Sequence, residues 1–189
     1  MNPLFACLVL IAVSLRATLA LAEEPPGFES IDPVAYDAMF LDAVHEHQAG
    51  HKADAFRKFL RLACGGDKMS QEQIGLMYLA GEGVRNNNAM GYLWLKVASE
   101  FNFSQYRANV RKIESAMTPE QLKHFGQIAE ELRVQYGLRA TNVSCREGSS
   151  TTFSTNIKNT VVCLPARNGP LLQVQRCYAD EVRIGAAAQ

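Results

Sequence analysis

Leu62-Ala63-Cys64-Gly65-Gly66-Asp67, then Gln71, Ile74-Gly75-Leu76-Met77-Tyr78, Gly81-Glu82-Gly83-Val84, Ala89 and Trp94-Leu95-Lys96-Val97-Ala98 mark out helices and the stops between them. Apolar residues recur here at helical spacing, and glycines interrupt them where a helix would stop. Shifted along the chain by 36 residues, Ala55 falls on Gly91, Phe59 on Leu95, Leu62 on Ala98 and Ala63 on Ser99 without a gap. A fixed period of this size is the mark of stacked helix pairs, none of which can bury its apolar face alone.

Working outward, Asp32-Pro33 supplies an N-cap and a proline at the first helical position. Tyr36, Phe40, Ala43 and Val44 then recur at helical spacing, which predicts a helix over 33–48. From His51, the pattern Phe56, Phe59, Leu60, Leu62 and Ala63 predicts a second helix, stopped by Gly65-Gly66. A third is expected over 70–80. A fourth, over 89–101, carries the broad apolar surface of Tyr92, Leu93, Trp94, Leu95 and Val97, and a weaker fifth is expected over 104–116. Thr118-Pro119-Glu120-Gln121 is a capping box that opens a sixth over 119–136, with Leu122, Phe125, Ile128, Ala129 and Leu132 on one face.

In order and spacing, the residues quoted at the outset resemble the Sel-one-like repeat, a relative of the tetratricopeptide repeat. The resemblance covers residues 51–117, as repeats over about 51–86 and 87–117, with the helix from Pro119 similar to the closing helix of many bacterial members. It implies a mainly α fold, a short α-solenoid of tetratricopeptide-like helix hairpins, with the helical domain spanning 33–137. The repeat positions are Gly75, Tyr78, Gly81, Gly83, Ala89, Trp94 and Ala98. Gly75 is expected to admit a close helix approach, Gly81 to stop a helix and Gly83 to take a positive φ, with Tyr78 and Trp94 turned inward. The second repeat departs from the pattern. Val110-Arg111 stands where the first has Ile74-Gly75, so this repeat is expected to face a cap or solvent.

After Gly137 the composition changes. Residues 143–145, 157–164 and 171–178 are rich in β-formers and separated by Ser/Thr/Gly/Asn stretches, with a turn at Asn168-Gly169-Pro170. Residues 138–189 are therefore expected to form a small β-rich tail, a hairpin plus a third short strand. A unit so small needs staples or a surface to lean on.

Residues 4–15 make an apolar run too short to span a bilayer but of signal-core length, followed by the small-x-small site Ala20-Leu21-Ala22. Residues 1–22 are thus expected to be a signal peptide and 23–32 an extended linker, which places the protein in the periplasm or outside the cell. Cys7 would leave with the leader, and Cys64, Cys145, Cys163 and Cys177 would remain, at spacings of 81, 18 and 14. An even count in an exported chain implies disulfides, in any of three pairings, and the absence of a CxxC pair argues against tetrahedral zinc. Cysteine-rich relatives of the repeat pair a cysteine at the position of Cys64 with one about seven residues later, where this chain has Gln71. The resemblance thus leaves Cys64 to pair with the tail, stay free or cross-link another chain. The expectation is that it pairs with one tail cysteine, leaving the other two to each other, which would link the β-rich tail to the helices.

The chain carries 19 Lys plus Arg and 19 Asp plus Glu in 189 residues, which excludes nucleic-acid binding by bulk positive charge. No apolar run is long enough for a membrane span. Gly81-Glu82-Gly83 lacks the preceding strand and the lysine or third glycine of a phosphate loop. His45, Glu46, His47 and His51 are interrupted by Gly50 and read as a solvated helix end; His124 reads as a surface residue and Glu130-Glu131 as a solvated face. No motif supports nucleophilic catalysis or a cofactor. The expectation is a non-catalytic adaptor or scaffold that binds a protein or peptide, touched by Tyr92, Lys96 and the Asn86–Asn88 loop. The rival readings are a β-lactam-binding or hydrolysing repeat protein and a secreted effector.

Overall fold

The computed structural model describes residues 29–30, 33–148, 160–165, 171–172 and 177. The expected leader, most of the linker and the turn at 168–170 lie outside the described residues. Helices dominate: α1 (Pro33–Gln48), α2 (Lys52–Cys64), α3 (Lys68–Ala80), α4 (Asn88–Ala98), α5 (Ser104–Glu114), α6 (Pro119–Tyr136) and the four-residue α7 (Leu138–Thr141). Short strands complete the described chain: β1 (Glu29–Ser30), β2 (Val143–Gly148), β3 (Thr160–Pro165) and β4 (Leu171–Leu172).

Local chemistry sets the helix ends. Asp67 caps α3 by accepting from Ser70 N at 2.6 Å, which starts this helix two residues before the expected position. Asn87 caps α4 by accepting from Met90 N at 3.0 Å. In α6 the capping box forms as the sequence predicts, with Thr118 N donating to Gln121 Oε1 at 2.9 Å and Gln121 N donating to Thr118 Oγ1 at 3.3 Å. Helix α4 ends at Ala98, earlier than expected: Ser99 turns its hydroxyl back onto Lys96 O at 2.7 Å, and Phe101 and Phe103 leave the helix to join a separate apolar cluster.

Helix α1 packs on α2, α2 on α3, α3 on α4, and α4 on both α5 and α6. Gly75 and Gly91 allow the α3–α4 crossing. A Cβ at Gly75 would stand 2.8 Å from Leu95 Cγ and 3.0 Å from the Gly91 carbonyl oxygen. The main core runs from Tyr36, Phe40, Phe56 and Phe59 through Ile74 to Trp94, Leu132 and Tyr136. Trp94 and Tyr78 are both buried in it, and Trp94 lies against Tyr136 with ring centroids 6.1 Å apart.

Strands β2 and β3 form an antiparallel pair in which Cys145 faces Cys163 and Val143 faces Pro165. Val143, Val161 and Cys163 join Ala98 and Tyr106 in a second apolar cluster, so the hairpin leans on the helices. The third tail strand does not extend this hairpin. Strand β4 pairs instead with β1, Glu29 opposite Leu172, so a piece of the expected linker is sheet. Two disulfides close the structure: Cys64 with Cys177, and Cys145 with Cys163. No described helix is long and apolar enough to cross a membrane.

Candidate functional site

Helix α3 is apolar on two sides. Ile74, Met77 and Tyr78 enter the core, Leu79 packs partly buried against it beside Gly91 of α4, and Leu76 is exposed; Leu76 and Leu79 both line a concavity that α5 also lines. Helix α5 is tied to α3 where Asn109 Nδ2 donates to Glu72 Oε1 at 2.9 Å. Beyond that tie the space between the two helices is open. It forms a groove of about 710 Å³ walled by Leu76 and Leu79 on one side and Ile113 and Ala116 on the other, with Leu95 of α4 below and Met117 and Phe125 closing the far end. Asn88, Asn109, Lys112 and Gln121 supply its polar groups. An apolar concavity with a few convergent polar groups is the form that ligand and peptide sites take.

Glu72, one helical turn before Leu76, makes this tie from outside the residues that line the groove. Burial pushes its carboxyl up to about 7, against the opposing effect of the Asn109 hydrogen bond. Tyr106, buried beside it, has its hydroxyl pushed well above the usual tyrosine range by burial first and by the charges of Glu72 and Asp67 second.

The residues that the sequence singled out for a partner have structural partners of their own. Tyr92 is buried, not exposed, which corrects the expectation. It lies on the face of α4 that α6 covers, where its ring meets Phe125 edge-on and its hydroxyl donates to Glu114 Oε1 at 3.0 Å. Burial, then Glu114, raises its pKa strongly. Lys96 is half-buried and binds the same Glu114 oxygen at 2.6 Å. Asn86 donates its amide to Leu79 O at 2.6 Å and Tyr78 O at 3.1 Å, so it closes the end of α3 and is not held free for a partner. Gly81 ends α3 at φ +69°, and Gly83, at φ +72°, lies so close to Lys52 O that no side chain would fit. Ala89 lines the groove, Ala98 sits in the second cluster, and Arg111 is exposed beside buried Val110.

The histidine group serves as a clasp. His47 Nε2 meets Glu82 Oε2 at 2.8 Å, Lys52 Nζ lies 3.2 Å from the same oxygen, and His51 binds Glu46 at 2.7 Å. Hydrogen bonds from His47 and Lys52 hold Glu82 below the usual carboxylate range. Among the described residues no group of three His, Cys, Asp or Glu is placed to hold a metal ion.

Sequence reasoning missed a buried charged network around Lys68. Lys68 is fully buried, and its ammonium binds Glu100 Oε2 at 2.9 Å and Gln71 Oε1 at 2.8 Å. Burial lowers the Lys68 pKa, although Glu100 opposes it. For Glu100 burial acts upward, but Lys68, the Leu138 N–H at 3.0 Å and Arg133 outweigh it and leave the carboxyl below its ordinary value. Gln71 donates to Ala63 O and Tyr136 O, both at 2.9 Å, and so ties α2 and α6 to α3. Comparison with known proteins finds no family model and no curated protein that matches this chain.

Proposed function

We propose that this chain is a non-catalytic protein–protein interaction module, an adaptor or scaffold of the bacterial cell envelope. It would be exported to the periplasm or beyond and built as a short α-solenoid of Sel-one-like repeats. The observation that carries this reading is the groove between α3 and α5, whose walls are Leu76, Leu79, Ile113 and Phe125. Leu76, 38% exposed, stands at its rim. The two disulfides support the compartment, because such bonds persist where the surroundings are oxidising. The 36-residue period supports the array: Glu72 and Asn109, 37 apart in sequence, lie side by side as repeat-equivalent helices would.

The test is a photo-crosslinking amino acid placed at Leu76, or at exposed Val134 outside the groove, in the protein expressed and exported in its host. The expected result is a discrete protein adduct from position 76, none from position 134, and loss of the adduct when Ala116→Arg fills the groove. Adducts that form equally from both positions, adducts indifferent to Ala116→Arg, or none at all would overturn the reading.

A further inference from the structure

Among the described residues, the groove between α3 and α5 has one charged group in its lining, the cation Lys112, and no carboxylate. Lys112 is exposed, and its ammonium makes no ion pair among the described residues. The acids near it are turned elsewhere. Glu114, the one acid of α5, takes Lys96 and Tyr92, and Glu72 takes Asn109. Arg107 and Arg111, exposed on the same helix, add to the positive field of this wall. The lining amides are committed unequally. Asn109 Oδ1 already accepts from Gln105 at 3.1 Å and one of its N–H groups goes to Glu72, while Gln121 Oε1 already accepts from Thr118 N at 2.9 Å. What Asn109 and Gln121 have left to offer is therefore N–H, and Asn88 adds both a donor and an acceptor. An apolar concavity whose open polar groups are mostly donors, with a cation among them, is complementary to an occupant that brings apolar surface, carbonyl oxygens and a negative charge.

We propose that the groove binds a peptide segment of another protein that sets apolar side chains against Leu76, Leu79, Ile113 and Phe125 and one Asp or Glu side chain against Lys112. This rests on reading the groove as a protein-binding surface and adds to it the chemistry of the partner. The donors are spread over three helices, with Asn88 on α4, Asn109 and Lys112 on α5 and Gln121 on α6. A compact anionic head group meets them at one place, whereas the carbonyls and side chains of an extended peptide meet them along its length. On α5 the cation stands between Asn109, at the tied end, and Ile113 and Ala116 further on. The bound chain therefore continues past Lys112 onto apolar wall, so the charge it brings there belongs to a side chain and not to a chain terminus. Lys112, Arg107 and Arg111 together repel a segment that is basic along its length.

The experiment is selection of a displayed library of random 12-residue peptides on the oxidised full chain at neutral pH and low salt. The peptides are fused to the carrier through their C-termini, so that every carboxylate they offer is a side chain. Winners are then titrated as C-terminally amidated synthetic peptides against wild type, Lys112→Glu and Leu76→Asn. Lys112 is exposed and Leu76 stands at the rim, so both replacements reach water, and circular dichroism confirms the fold of each variant. The expected winners combine apolar residues with one Asp or Glu, and all bind Leu76→Asn more weakly. Replacing the acid by its amide weakens binding to wild type about threefold, the size expected of a solvent-accessible ion pair, and strengthens binding to Lys112→Glu; replacing it by lysine strengthens the latter further. Winners that lose binding on Leu76→Asn yet carry no acidic residue, or whose acid shows no coupling to position 112, overturn this inference and leave the groove reading standing. Winners indifferent to Leu76→Asn, or no enrichment at all, overturn both.

Discussion

Because burial pushes the Glu72 carboxyl up to about 7 in the folded protein, while an unfolded chain releases that proton near 4.5, the two states bind unequal numbers of protons between these values. The native state binds more, so stability falls as pH rises through this window and is level above it. With a side chain that keeps some contact with water, the loss attributable to Glu72 is about 2 to 3 kcal/mol. Glu72→Gln keeps the shape and the acceptor for Asn109 but has nothing to ionise. Urea unfolding should find the variant more stable than wild type by about 2 to 3 kcal/mol at pH 8 and equal to it at pH 4. Parallel pH profiles for the two proteins would show that Glu72 is not held neutral. At this scale the sequence was only partly legible. Tyr78 and Trp94 are buried as expected, and the capping box forms because local spacing decides it. Glu72, Lys68 and Gln71 looked like ordinary helical polar residues, because what makes them unusual is the burial created by α4, α5 and α6, which arrive much later in the chain.

The approach of α3 to α4 can be tested by two glycines with opposite expectations. In a helix interior, Gly→Ala is favoured by about 1 kcal/mol when the methyl group meets nothing. At Gly126 in α6 nothing lies within 4 Å of the added Cβ, so Gly126→Ala should stabilise by about 0.5 to 1 kcal/mol. At Gly75 the same methyl would press on Leu95 Cγ at 2.8 Å and on the Gly91 carbonyl oxygen at 3.0 Å, and a backbone atom cannot rotate away. Overpacking of this kind outweighs helix propensity, so Gly75→Ala should destabilise by about 1 to 2 kcal/mol in the same denaturation assay. Equal and favourable effects at both sites would mean that the two helices are not in close contact. Helices α1 to α6 were legible to within a few residues, because most carry an apolar face and a capping residue or a glycine stop, whereas the four-residue α7 falls where the β-rich tail was expected to begin. The groove was less so. A short helix such as α3, with Ile74, Met77, Tyr78 and Leu79 packed in or against the core, also carries Leu76, and its sequence does not say that α5 leaves this leucine exposed.

At the scale of the whole molecule, the two disulfides differ in what they hold. Cys145–Cys163 spans 18 residues inside a hairpin that strand pairing already defines. Cys64–Cys177 spans 113 residues and joins the buried end of α2 to the tail, with both cysteines 1% exposed. Four cysteines allow three pairings, and the local sequence could not choose among them, because that choice depends on where α2 ends in space relative to a tail more than a hundred residues away. If cross-links act mainly by limiting the unfolded chain, the longer loop should matter more: about 4 to 5 kcal/mol for the 113-residue loop against about 3 kcal/mol for the 18-residue one. Cys64→Ala/Cys177→Ala should therefore lower the unfolding midpoint further than Cys145→Ala/Cys163→Ala, measured on otherwise oxidised proteins. Removing two buried sulfur atoms adds a packing loss to the first pair, which reinforces the order and does not reverse it. The opposite order would mean that the unfolded chain keeps the tail near α2 without a covalent bond, and that the hairpin, not the long loop, is the principal restraint on the fold.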